Sequence, residues 1–164
     1  MSDQGKTYQT FIETELKAER ERRTAYDARG QALITTSSAL VTVLAGLVAI
    51  VRTGTAVRIP TSAQIVVTLA LVLFVCSAAS GIAAGWNRHY AVAKYGSLKG
   101  MVEDHWTDDE VDARNNVAYL QALTVNTLRQ GNRFKAACVS VGLITQVAAL
   151  SALGSAVVMI ICRL

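Results

Sequence analysis

Residue types capable of chemistry are present in this chain, but their spacing does not fit any familiar reaction centre. His89 and His105 lie sixteen residues apart and lack zinc-type spacing. Glu103, Asp104, Asp108, Asp109, Glu110 and Asp112 form an acidic group that could hold a divalent ion. Thr107 with Glu110 reads instead as a capping box, in which hydroxyl and carboxylate each satisfy an orphan amide. Asp108 and Asp109 then put negative charge at the positive end of a helix dipole. Cys76, Cys138 and Cys162 sit in apolar surroundings with no C-x-x-C pair, as small packing residues do. There is no phosphate-cradling glycine loop, nucleophile elbow or HExxH. The expectation is a protein that is not an enzyme, with no metal and no cofactor.

Basic side chains are better organised. They cluster as Arg22, Arg23 and Arg29, as Arg88, His89 and Lys94, and as Arg129, Arg133 and Lys135. Anionic lipid headgroups account for such clusters without a ligand. Guanidinium forks also match phosphate oxygens, so the functional reading is a phosphate-bearing small molecule. On that reading Arg22, Arg23, Arg29, Arg88, Arg129, Arg133 and Lys135 are the candidate ligand-binding residues.

The elements carrying these groups follow from where charge is missing. Residues 30–51, 59–87 and 136–162 contain no charged side chain at all. A helix rises about 1.5 Å per residue and the hydrocarbon core is about 30 Å thick, so ~20 residues suffice to cross. Three buried helices in a soluble chain of 164 residues would lack a cover. The fold class expected is therefore an all-α membrane protein forming one domain over 1–164. It comprises a cytosolic helix (1–29), spans at 32–51, 62–86 and 136–161, and a cytosolic helical insert (87–135). The first 30 residues are polar, unlike a cleavable signal peptide.

The net charge of +4 could suggest nucleic acid, but its distribution favours a membrane. An inside N-terminus places thirteen of the sixteen lysines and arginines on the cytoplasmic side. Arg52, Arg58 and Arg163 are left outside. The expected location is a bacterial inner membrane, with the N-terminus cytoplasmic, the C-terminus outside and no nucleic-acid polymer as partner.

Within the spans, small and polar residues fall on faces. Gly81 and Gly85 form a GxxxG pair that Ser77 extends by a turn, so another helix can approach closely. That helix belongs either to this chain or to a second protomer. Thr35, Ser38, Thr42, Gly46 and Ala49 recur at helical spacing on the first span. Gln146 falls near the midplane of the third, where its amide needs a partner. Thr42 is the expected partner; a polar seam lining an oligomeric pore is the alternative. In the insert, Val111, Val117, Leu120, Leu123 and Leu128 form an apolar face, and Phe11, Ile12 and Leu16 of the N-terminal helix are its nearest candidate cover. Gly30 could bend the first helix, and only Gly131 interrupts the approach to the third span.

The order of parts, with "DARGQALITTSSALV" entering one span and "LRQGNRFKAACVSVGLITQ" entering another, resembles a known family. It is similar to the small transmembrane effectors of bacterial cyclic-nucleotide defence systems, the Pycsar-type transmembrane proteins and related SLATT domains. Two entry patterns carry the resemblance: Asp27 with Arg29, and Asn132 with Lys135. The resemblance implies a cytosolic nucleotide signal, homo-oligomerisation and membrane disruption that limits phage. It assigns no nucleotide-contacting residue. The other reading is a passive membrane scaffold whose cytosolic helices bind a partner protein.

Overall fold

The computed structural model describes residues 4–53, 60–87 and 89–162. They form four helices and, among the described residues, no strand: α1 (Gln4–Thr53), α2 (Thr61–Gly85), α3 (Tyr95–Glu103) and α4 (Glu110–Ile161). Arg88, Arg58 and Arg163 lie outside the described residues.

Each helix begins or ends where backbone chemistry requires it. Pro60, with φ −57° and ψ 142°, is the cap of α2, and its carbonyl accepts from the Gln64 amide at 3.1 Å. A proline costs nothing there, because the first amides of a helix are orphans anyway. The helix stops when Trp86 turns extended at ψ 131°. The amides of Asp104 and His105 both donate to the Gly100 carbonyl, closing α3. That closure uses up residues 104–108, and the Asp108 amide bonds the His105 carbonyl at 3.2 Å. Thr107 is therefore held within a turn, and the expected capping box does not form. The Asp109 carbonyl opens α4 by accepting from Ala113 at 3.0 Å, with Glu110 and Asp112 as the acids of the first turn. α1 and α4 run through Gly30 and Gly131 without interruption.

Contacts divide the chain into two units. The first holds Met1–Ala25 and Asn87–Phe134; the second holds Tyr26–Trp86 and Lys135–Leu164. In the first unit Leu16 packs on Val125 and Leu128. The N-terminal helix thus does cover α4, but the buried register is 125, 128 and 132. Val111 and Leu123 stay exposed, at 38% and 41%, contrary to the apolar face expected. The difference arises because α4 has two apolar faces here, one toward α1 and one, with Val117 and Leu120, toward α3.

The second unit is a bundle of α2 with the later parts of α1 and α4. Leu33, Ala84 and Val139 form one core cluster, and Leu44, Phe74 and Ala149 another. Contacts advance together along α1 and α4 and in reverse along α2, so α1 and α4 run parallel with α2 antiparallel to both. The buried residues of α2 are Ala63, Ala70, Phe74, Ser77, Gly81 and Ala84, a narrow seam at three- and four-residue spacing. Around that seam Ile65, Leu69, Val75 and Ile82 are exposed, as are Val141, Ile144 and Val147 on α4.

Among the described residues, two helices, α2 and α4, are long and apolar enough to cross a membrane. Only 22% and 11% of their most apolar stretches are buried, whereas a core helix of a soluble protein hides its apolar side chains. Phe74, Leu33 and Leu44 are packed inward beside small residues, while many large apolar side chains point outward, an arrangement compatible with a lipid solvent.

Candidate functional site

The first unit is organised around one buried carboxylate. Glu19 is 2% exposed on α1. Its Oε1 accepts from Arg22 Nη1 at 2.8 Å and from Arg129 Nε at 3.1 Å. Asn132, itself buried, donates Nδ2 to Glu19 Oε2 at 2.8 Å and to the Glu19 carbonyl at 2.9 Å. The other end of the Arg129 fork bonds Glu15. Burial alone pushes the Glu19 carboxyl upward. The bonds from Asn132 and Arg129, with the nearby Arg22 charge, outweigh it and hold Glu19 below its ordinary value. Arg129 is held above its own ordinary value, chiefly by its bond to Glu19.

The candidate basic residues therefore divide. Arg22 and Arg129 share one glutamate. Arg23 donates to Asn87 Oδ1 at 3.0 Å and stands 4.4 Å over the Tyr90 ring, a cation–π contact. Arg133 is exposed on α4. Arg29 and Lys135 belong to the second unit, where buried Lys135 pairs with Asp27 and Arg29 is exposed. Arg88 lies outside the described residues. The two entry patterns are also resolved into contacts: Asn132 meets Glu19, and Lys135 meets Asp27.

A different part of the first unit holds space. A cavity of about 630 Å³ opens between α3 and the start of α4. Gly96 and Gly100 line it with bare backbone, Trp106 and Tyr119 bring aromatic rings, and Asn116 and Asp108 bring polar edges. Asp108 Oδ2 also lies 3.0 Å from Nδ1 of His105, which lines the same cavity. The volume falls in the range of small-molecule sites, about 300–1,000 Å³. A flat aromatic ligand with a polar edge suits such walls, since rings stack and the edge hydrogen-bonds. Among the described residues, none of Arg22, Arg23, Arg129 and Arg133 lines this cavity. Arg129 lines a smaller one of about 220 Å³ with Phe11, Ile12 and Glu15. The signal that sequence reading missed was the Gly96–Gly100 pair one turn apart, which leaves room against α4.

In the second unit the small-residue motif is partly consumed. A Cβ at Gly81 would lie 2.7 Å from the Gly30 carbonyl oxygen, and one at Gly30 would lie 3.0 Å from that of Gly81. Ser77 Oγ donates to the Gly142 carbonyl at 2.9 Å, and Leu33 fills the space over Gly142. Gly85 faces open space. Gln146 does not meet Thr42. Its Nε2 donates to Thr36 Oγ1 at 2.9 Å, while Thr42 bonds back to the Ser38 carbonyl. The register explains the difference. Gln146 is eleven residues past Lys135 and Thr36 nine past Asp27, whereas Thr42 is fifteen past it. In parallel helices that begin level, Thr42 stands about 6 Å too far along.

Thr35, Ser38, Thr42 and Gly46 are all exposed. Ser37, by contrast, is buried at 1%, and its hydroxyl has no hydrogen-bond partner among the described residues.

No family model matches the chain, and no curated protein or solved structure matches it.

Proposed function

We propose that this chain is a homo-oligomeric effector of a bacterial inner membrane. It crosses the membrane three times, at 32–51, 62–86 and 136–161, with the N-terminus cytoplasmic and the C-terminus outside. Its cytosolic helices bind a small signal, a cyclic nucleotide on the strength of the resemblance, and its spans then rearrange to breach the bilayer in antiphage defence.

The observation carrying this reading is the exposed face of α1. In a bundle that presents many large apolar side chains outward, Thr35, Ser38, Thr42 and Gly46 form a small, hydroxylated strip that is exposed and that no helix among the described residues covers. Such strips are where membrane helices of separate chains pack and hydrogen-bond. The α3–α4 cavity supplies a place for a signal. α4 carries both the cavity residues Ala113, Asn116 and Leu120 and the third span, in one uninterrupted helix.

The test is inducible expression with a membrane-potential dye. Depolarisation only when a cyclic nucleotide is present supports the effector. The scaffold reading draws on Tyr8 and Phe11, exposed at 69% and 64% on α1, as a surface for a partner protein. It predicts unchanged potential with every nucleotide tried.

A further inference from the structure

α3 is amphipathic in the wrong sense for a helix in water. Its residues Gly96, Ser97, Gly100 and Met101 line the cavity beside α4. Tyr95, Leu98 and Val102 lie on the opposite side at 3.6-residue periodicity and are 80%, 50% and 61% exposed. Two glycines, a serine and Met101 are turned toward the cavity, while a tyrosine, a leucine and a valine are turned out. The stretch leading to it has the same character: Trp86 is 69% and Val92 62% exposed. Lys94 and Lys99 are exposed at the start and middle of the helix, Lys99 sharing its charge with Glu103 at 3.3 Å.

We infer that the Tyr95–Leu98–Val102 face of α3 docks in the headgroup layer of the membrane that α2 crosses. The inference rests on the reading of α2 as a span. Only nine residues, 86–94, join the end of α2 to the start of α3, so α3 is tethered within about 30 Å of the bilayer surface. Tyrosine and tryptophan favour that layer, and lysines on the flanks of an apolar face meet anionic lipid. A soluble partner protein would need no such tether and no lysine pair. With its outer face in lipid, α3 becomes a wall of the cavity whose position depends on the membrane, so lipid composition bears on ligand binding.

The experiment uses the full chain in vesicles of mixed zwitterionic and anionic phospholipid. Leu98→Trp is introduced together with Trp86→Phe and Trp106→Phe, leaving one tryptophan on the stripe. Lipids brominated high in the acyl chain should quench its emission at least about twofold, and deeply brominated lipids less, since such faces sit roughly 5–10 Å into the boundary. Adding Lys94→Glu and Lys99→Glu should weaken the quenching, each lysine being worth a factor of roughly five in surface binding. A parallel chain carrying only Trp106→Phe keeps Trp86 as the reporter for the end of α2. If Trp86 is quenched and L98W is not, α3 does not dock. That holds whether acrylamide reaches the stripe, placing it in water, or fails to, placing it against protein. If neither is quenched, the spanning reading of α2 fails and the inference fails with it.

Discussion

At the scale of single residues, Glu19 is the carboxylate on which Arg22, Arg129 and Asn132 converge. Truncating it (Glu19→Ala) leaves the buried Asn132 amide with only the residue-19 carbonyl as acceptor and takes the shared carboxylate from Arg22 and Arg129, a cost of about 1–3 kcal/mol. Chemical denaturation in detergent micelles, followed on the first unit by Tyr fluorescence, should register that loss. The pH dependence has a definite sign. Glu19 is held below its ordinary value of about 4.5, so its contribution is fully present above that pH. It is lost as pH falls through the lower folded value, because protonation then discards the bonds from Arg129 and Arg22. The Glu19→Gln variant should flatten that acid limb. Gln146 makes a useful contrast. Its partner Thr36 keeps a second bond to the Ala32 carbonyl at 2.8 Å, so Gln146→Leu should shift stability by no more than ~1 kcal/mol. A several-fold fall in ligand-triggered depolarisation from that variant would instead show the amide lining a pore.

At the scale of elements, glycines separate close packing from open space. Gly81→Ala places a methyl against the Gly30 carbonyl and should cost about 1–3 kcal/mol, while Gly85→Ala meets nothing. Gly131 also meets nothing, so Gly131→Ala should stabilise α4 by roughly 0.5–1 kcal/mol through helix propensity alone. Thermal unfolding of the three variants side by side checks the order. The sequence carries the helices plainly, because charge-free windows and the sole proline leave few alternatives. The break between α3 and α4, residues 104–109, falls where Thr107 with the acids Asp108, Asp109 and Glu110 signals a helix start in the sequence. Partners were harder to read. That Gln146 finds Thr36, and that Val125 rather than Leu123 is buried, depends on helix register, which no local pattern encodes. The basic clusters were legible as clusters, yet Arg129 could be matched to Glu15 and Glu19 only once α1 and α4 were paired, over a hundred residues apart in the chain. The cavity escaped because it is made of what α3 lacks, side chains at Gly96 and Gly100.

At the scale of the whole molecule, the three-span topology proposed above puts the two termini in different compartments. Reporter fusions active only in the cytoplasm should work at the N-terminus and fail at the C-terminus. The oligomer proposed through α1 should be blocked by bulk on its hydroxylated strip, so Thr42→Phe should yield monomers by cross-linking while circular dichroism stays unchanged. That variant should also lose depolarisation. Ser37 adds something that concerns the balance between states. Its hydroxyl lies inside the second unit with no acceptor among the described residues, so the present arrangement of helices carries a small handicap. Any rearrangement that brings a carbonyl or hydroxyl within reach of Ser37 removes it. Ser37→Ala takes away that incentive without disturbing the resting packing, and it should raise the dose of signal needed for half-maximal depolarisation.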